Sequence, residues 1–191
     1  SNTTTFNNIV FDGTNSTSAN IEIFSGSTNN TFNNCKFQNT TAYHYVQSTG
    51  VVSFNSCIFD IGSKASVFRL VAPISTVGCY YKGTLSFSID DTLSTSYSNH
   101  SYCKFNLSHA GVALLKPSVS GATYNWSYNT FYLQGANPIL CVSSGSLYTS
   151  ITFNYNRVIS STITSNIMFR SLGSGATVVI QNNYVYLTNT S

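Results

Sequence analysis

The stretch Phe32–Phe37, FNNCKF, is followed 22 residues later by a close copy, Phe54–Phe59, FNSCIF. Both have a large apolar residue first, polar residues second and third, Cys fourth and an apolar residue sixth. Six more stretches resemble this unit, most of them with Cys or Asn fourth: Phe6–Phe11, Thr76–Tyr81, His100–Phe105, Trp126–Phe131, Phe153–Val158 and Ile180–Val185. The eight units begin 22 to 27 residues apart. Repetition at such a period indicates a solenoid.

One turn of a parallel β-coil, with about three short strands, uses a period of this size. Successive coils would lie about 4.8 Å apart, so each side chain would stack on its counterpart in the preceding coil. Position four would then form one interior column, a structural ladder. Its members would be Cys35, Cys57, Cys79, Cys103, Asn129, Asn156 and Asn183. We expect an all-β fold, a single parallel β-helix (solenoid) domain of about eight coils over residues 1–191.

Composition supports this class and excludes others. Charged residues are 7% of the 191, whereas hydrophobic residues are 42% and aromatic residues 14%. A helical bundle needs more Glu, Lys and Ala, and a disordered chain would not carry so many aromatic rings. The net charge of +3 is not the clustered charge of a nucleic-acid-binding protein. No apolar run approaches the roughly 20 residues of a membrane span. We expect neither nucleic acid as a partner nor membrane insertion.

The unit, from Phe6 to Val185, resembles the coils of right-handed parallel β-helices in the pectate-lyase-like superfamily, including phage tailspike and tail-fibre segments. The resemblance implies a right-handed, single-stranded β-helix. That superfamily contains polysaccharide lyases, glycosidases, tailspikes and adhesins, so the fold alone implies no single function. Phage fibres of this kind imply a homotrimer. The absence of an initiator Met and of a signal peptide predicts a fragment of a longer chain.

The cysteines are five in number, and four of them occupy the ladder. Stacked strands hold Cβ atoms about 4.8 Å apart, whereas a disulfide needs about 3.8 Å, so we expect free, buried thiols. A column does not converge on a metal, and no cofactor is predicted. His100 lies three residues before Cys103, but core packing is favoured over a catalytic pair. Reduced thiols indicate folding in a reducing cytoplasm.

Carboxylates are scarce, which limits an enzymatic interpretation. There are five, at Asp12, Glu22, Asp60, Asp90 and Asp91. The adjacent pair Asp90 and Asp91 faintly resembles the paired aspartates of polygalacturonase-like enzymes, although the other segments of that pattern are absent. Adjacent strand residues also point to opposite faces, so the two are only weak catalytic candidates.

Other charged and titratable residues suit structural roles. Asp91 and Arg69 hold equivalent positions after their units, which predicts a surface ion pair between neighbouring coils. For His44, His100 and His109 we expect surface or half-buried structural roles.

The surface offers tyrosines. Position five of the unit should point outward, which makes Tyr80 a weak ligand-binding candidate. Trp126 occupies position one and is expected in the core. Tyr124 and Tyr128 share its alternation and would also turn inward, which leaves Tyr132 as the second surface candidate.

These observations favour a non-catalytic β-helical rod or receptor-binding segment of a viral or phage tail fibre or tailspike. It would contact a cell-surface polysaccharide as a homotrimer in the virion tail. Two alternatives stay open. One is a carbohydrate-active enzyme domain, a lyase or glycoside hydrolase, that uses Asp90 or Asp91. The other is a bacterial surface adhesin module, with an extracellular or cell-surface location.

Overall fold

The computed structural model describes residues 3–14, 22–25, 29–39, 44–48, 50–92, 97–109, 121–134, 140–142, 150–160, 169–171 and 177–188. Regular structure in these residues consists of strands. They are β1 (Thr4–Asn7), β2 (Val10–Asp12), β3 (Glu22–Ser25), β4 (Asn30–Asn33), β5 (Lys36–Gln38), β6 (His44–Ser48), β7 (Val52–Asn55), β8 (Ile58–Leu70), β9 (Ile74–Val77), β10 (Tyr80–Thr92), β11 (Tyr97–Ser101), β12 (Lys104–His109), β13 (Thr123–Ser127), β14 (Thr130–Gln134), β15 (Leu140–Val142), β16 (Ser150–Asn154), β17 (Arg157–Ser160), β18 (Phe169–Ser171), β19 (Thr177–Gln181) and β20 (Tyr184–Leu187).

The strands stack into two long parallel walls. The first wall has eight strands in the order β1, β4, β7, β9, β11, β13, β16 and β19. The second wall runs through β2, β5, β8, β10, β12, β14, β17 and β20. Each repeat unit ends a strand of the first wall and begins a strand of the second. The predicted all-β parallel solenoid is therefore confirmed. The described residues form no helix that is long and apolar enough to cross a membrane.

The third side of the solenoid is less regular than the two walls. Here β3 pairs with β6, β6 pairs with the distal half of β8, and β8 pairs with β10, which makes four consecutive turns. Strands β15 and β18 pair separately. Complete turns in the described residues number about four, so the expected count of about eight coils is too high. The repeat unit builds only two walls, and the third side comes from segments that do not repeat.

Register between coils follows the repeat unit. In the first wall Phe32 pairs with Phe54, and in the second wall Phe37 pairs with Phe59. Position six stacks as Phe11, Phe37, Phe59, Tyr81, Phe105 and Phe131, with ring centroids 4.5–4.9 Å apart and planes within 13°. Full burial of such side chains contributes roughly 1.5–3 kcal/mol each. The position-one column consists of Phe and Trp rings, except where Thr76 and His100 interrupt it and at its last described member, Ile180.

The corner between the two walls is made by position three of the unit. Its residue has a positive φ of 52–63° in all eight units: Asn8, Asn34, Ser56, Gly78, Tyr102, Tyr128, Tyr155 and Asn182. A left-handed residue breaks the two-residue alternation of a strand. Trp126 and Tyr124 are buried as expected, but the expectation that Tyr128 points inward is wrong, because the corner turns its side chain outward.

Candidate functional site

The ladder at position four connects successive coils through amides. The side-chain NH2 groups of Asn129, Asn156 and Asn183 donate to the position-one carbonyls of the preceding coil, at 2.9, 2.8 and 2.7 Å. The backbone N–H of Asn129 donates to Asn156 Oδ1 at 2.9 Å, and that of Asn156 donates to Asn183 Oδ1 at 2.8 Å. Each amide thus satisfies two backbone groups at a buried corner.

Thiols occupy the same places in the N-terminal coils. Cys57 Sγ donates to Phe32 O at 3.4 Å and Cys79 Sγ donates to Phe54 O at 3.3 Å, both position-one carbonyls. The backbone N–H of Cys57 donates to Cys79 Sγ at 3.4 Å. Cys35, Cys57, Cys79 and Cys103 are free and buried, while the side chain of Cys141 lies outside the described residues. The thiol therefore takes the place of the amide in two ways. It fills a similar volume, and it acts as a weak hydrogen-bond donor and acceptor.

A buried polar cluster lies where the aromatic column at position one is interrupted. It consists of Thr76, Asp90, Ser98, His100 and Cys103. His100 Nε2 is 3.0 Å from Asp90 Oδ2, which also accepts a hydrogen bond from Ser98 Oγ. On the other side of the ring, His100 Nδ1 is 2.6 Å from Thr76 Oγ1, which is 3.4 Å from Cys103 Sγ.

The local fold explains this arrangement. Alternation on β11 turns Ser98 and His100 inward, while Asp90 reaches the same interior from the distal part of β10. The indole of Trp126 covers the imidazole, with ring centroids 4.3 Å apart. Among the described groups, Asp90 Oδ1 has no hydrogen-bond partner.

The two buried histidines have opposite electrostatic surroundings. Burial lowers the pKa of His100, but the charge and hydrogen bond of Asp90 outweigh burial and raise it to about 9. His44 packs against Phe37 with ring centroids 5.3 Å apart, and burial lowers its pKa to about 4. His100 therefore carries a charge at neutral pH, and His44 does not.

The acid–imidazole–hydroxyl order resembles a catalytic relay, but its position argues against catalysis. Asp90, His100 and Cys103 each expose 2% or less of their surface. A nucleophile or general base must reach the substrate directly or through one water molecule. Burial raises the pKa of the Cys103 thiol, while its hydrogen bond with Cys79 and the charge of His100 outweigh burial and lower it. We interpret the cluster as part of the core.

The remaining histidines and aspartates differ in burial and in their hydrogen-bond partners. His44 and His100 are fully buried, so the expected surface or half-buried positions are wrong for both; their strands turn them into the aromatic core. Asp91 is the backbone partner of Arg69, but its side chain and that of His109 lie outside the described residues. Asp12 accepts the backbone N–H of Thr14 at 3.0 Å.

An exposed tyrosine ladder runs along the corner between the walls. Tyr102, Tyr128 and Tyr155 occupy position three of consecutive units, and their surfaces are 64%, 49% and 51% exposed. Their rings stack in parallel, with centroids 5.1 and 4.9 Å apart and planes within 8°. Stacking covers both faces of Tyr128, so this ring presents its edge and its hydroxyl to solvent.

Backbone strain marks the ladder as unusual. Asn and Gly take a positive φ more readily than Tyr, and position three in the other five units holds Asn three times, Gly once and Ser once. The corner requires this conformation in every unit, but only these three units place an aromatic side chain on it, and strained residues cluster at functional sites.

The predicted surface candidates flank a lysine on the second wall. Lys104 Nζ lies 5.6 Å from the ring centroid of Tyr80 and 5.1 Å from that of Tyr132. Arg157 lies 5.8 Å from the ring centroid of Tyr184. Both cations therefore hold cation–π positions on the outward face.

Sequence reasoning missed the tyrosine ladder although the signal was present. Alignment of the units places Tyr102, Tyr128 and Tyr155 in one column, but strand alternation, which predicts an inward Tyr128, stops at this corner.

A scan against protein-family models, a search of curated proteins and a search of solved structures all return no match.

Proposed function

We propose that the protein is a non-catalytic β-helical rod segment that binds a cell-surface glycan, as part of a viral or phage tail fibre or tailspike. The tyrosine ladder is the observation that carries the proposal. Three exposed rings at strained backbone positions, held by a stacked parallel wall, form a rigid row of hydroxyls. Tyr combines a large contact area with a polar group at low conformational cost, which suits a recognition surface.

The carboxylates support the non-catalytic part of the proposal. Glycosidases usually need two carboxyl groups that flank the scissile bond. Asp90 is buried and hydrogen bonded to His100 and Ser98, so it is poorly placed to reach a sugar. Asp12 is hydrogen bonded to Thr14, and Asp60 forms an ion pair with Lys82 at 2.8 Å.

Assembly and location belong to the same proposal. A rod with the row Tyr102, Tyr128 and Tyr155 on one corner leaves its other faces free to associate, and we propose a homotrimer in a virion tail. Buried free thiols fit a chain that folds in a reducing cytoplasm before release. Sedimentation equilibrium of the purified chain tests the trimer, and a single species with the mass of one chain contradicts it.

A glycan panel combined with a depolymerisation assay tests the binding function. The parent chain should bind at least one surface polysaccharide without releasing new reducing ends. The matched variant is Tyr102→Asn/Tyr128→Asn/Tyr155→Asn, because Asn occupies the same backbone position at Asn8, Asn34 and Asn182. This variant should fold and lose binding. Release of reducing ends, or undiminished binding by the variant, contradicts the proposal.

A further inference from the structure

Charge is distributed unevenly along the solenoid. All five Asp and Glu residues lie at or before Asp91, so the 100 residues from 92 to 191 contain none. The same residues contain four cations, Lys104, Lys116, Arg157 and Arg170. The C-terminal half therefore carries positive charge that none of its own acidic side chains offsets, and an anionic ligand is the complementary partner.

Two of these cations lie beside the tyrosine ladder. Lys104, Thr130 and Arg157 are consecutive partners in one outward column of the second wall. Each follows a ladder tyrosine by two residues, so the same three units carry both columns. Lys104 and Arg157 are two coils apart, or about 10 Å at the usual strand spacing. Both side chains are exposed.

Lys82, a cation elsewhere on the second wall, has an acidic partner. Lys82 lies one coil before Asn106, its register partner, and its Nζ contacts Asp60 Oδ2 at 2.8 Å. Lys104 and Arg157 instead lie over the rings of Tyr132 and Tyr184. Cation–π contact orients a cation without neutralising it, so both charges stay available to a ligand.

Ring stacking within the ladder limits the kind of ligand. Tyr128 is covered on both faces by Tyr102 and Tyr155. Bases of single-stranded nucleic acid bind chiefly by stacking on free aromatic faces. Phenol hydroxyls can instead hydrogen bond to sugar hydroxyls and carboxylates, and guanidinium and ammonium groups bind carboxylates with charge-assisted hydrogen bonds.

We propose that Tyr102, Tyr128, Tyr155, Lys104 and Arg157 form a binding surface for an acidic polysaccharide whose negative charges are carboxylates. The polysaccharide lies along the solenoid axis, with sugar hydroxyls on the phenol row and carboxylates on the two cations. This inference rests on the proposed glycan-binding function and specifies the ligand class.

The experiment measures binding of the full chain to four probes by biolayer interferometry: oligogalacturonate, a neutral galactan oligomer of the same length, a polyphosphate-linked glycan and a single-stranded oligodeoxynucleotide. Oligogalacturonate should bind at least tenfold more tightly than each of the others, and binding should weaken with added salt. The variant Lys104→Gln/Arg157→Gln should lose at least tenfold in affinity for oligogalacturonate. Lys82→Gln is the control and should change it less than twofold.

The outcomes separate this inference from the function on which it rests. Equal binding of neutral and acidic oligomers, lost in the triple Tyr→Asn variant but unchanged in Lys104→Gln/Arg157→Gln, overturns the acidic ligand and leaves glycan binding intact. Tighter binding of the oligodeoxynucleotide or of the phosphate-linked glycan also overturns it. Failure of every probe and of the wider glycan panel overturns both. Circular dichroism of each variant shows whether the solenoid has folded.

Discussion

Asp90 Oδ2 lies 3.0 Å from His100 Nε2 in an interior built mainly of stacked aromatic rings. Both side chains are almost completely buried. Removal of one partner of a buried pair is costly, whereas replacement of both by apolar side chains of similar volume is often neutral or stabilising.

Asp90→Asn should lower the free energy of unfolding by about 3 kcal/mol, because it removes the charge opposite His100. The double variant Asp90→Leu/His100→Phe should recover part of that loss, since Phe continues the position-one aromatic column while the buried Ser98 hydroxyl loses its acceptor. Urea denaturation measures both. Asp60→Asn, which breaks the exposed pair with Lys82, is the control and should change stability little. A loss in Asp90→Asn no larger than in Asp60→Asn would show that the buried pair contributes nothing.

His100 should make stability decline on the alkaline side. Its pKa is raised from 6.5 to about 9 in the folded state, so its contribution is fully present below pH 6.5 and is lost as pH rises towards 9. The full loss is about 3 kcal/mol, from 1.36 kcal/mol per pKa unit. The pKa of the Cys103 thiol is lowered and its ionisation acts in the opposite direction, so the comparison is made in a Cys103→Ala background. In that background, urea midpoints between pH 6.5 and 8 should fall more with the Asp90–His100 pair intact than in Asp90→Leu/His100→Phe. Equal pH dependence of the two midpoints contradicts the charged pair.

His44 should act in the opposite direction. Burial lowers its pKa from 6.5 to about 4, so the folded state resists protonation and stability falls as pH decreases from 6.5 towards 4. His44→Phe removes the titrating group from the cluster of Phe37, Phe59 and Phe68. In this variant the free energy of unfolding should fall less steeply between pH 6.5 and 4.5, and the difference in slope should correspond to the uptake of at most one proton. If the slopes of parent and variant coincide, His44 is not a neutral buried histidine.

The interchange of thiol and amide at position four predicts an order of substitutions at Asn156. Asn156→Ala leaves Trp126 O and the backbone N–H of Asn129 without their partners, at a cost of about 2–4 kcal/mol. Asn156→Cys should cost less than half as much, because Cys occupies both places in the N-terminal coils. Thermal unfolding of the two variants measures how much stability each one loses. Equal destabilisation would mean that the thiols merely fill space.

Two glycines with positive φ should respond differently to a side chain. A Cβ on Gly83 would lie 2.5 Å from Gly62 O and 2.6 Å from Ile61 Cγ1, so Gly83→Ala should destabilise by about 3 kcal/mol or more. On Gly78 the nearest atom would be Ser56 Oγ at 3.7 Å. Gly78→Asn should therefore cost less than about 1 kcal/mol, because Asn tolerates this backbone at the other corners. Similar costs at both positions would contradict the close approach of the two coils at Gly83.

The walls could be predicted from the sequence, and much of the interior cluster could not. Like residues stack on like, so alignment of Phe32 with Phe54 also aligned their strands. The pairing of Asp90 with His100 gave no such signal, because Asp90 lies on the third side and β10 shifts register against β8 between Leu85 and Ser88. Strand alternation predicts an inward Tyr128, because it continues a two-residue period through a corner where one left-handed residue reverses it.

The amide and thiol ladder has a direction. At Cys57, Cys103, Asn129 and Asn156 the backbone N–H is satisfied by the side chain of the coil that comes later in the chain. During synthesis, the backbone N–H of each coil at position four would lack its acceptor until the following coil has been made. A chain that folds from its amino terminus would then add one coil at a time, each completed coil acting as the template for the next.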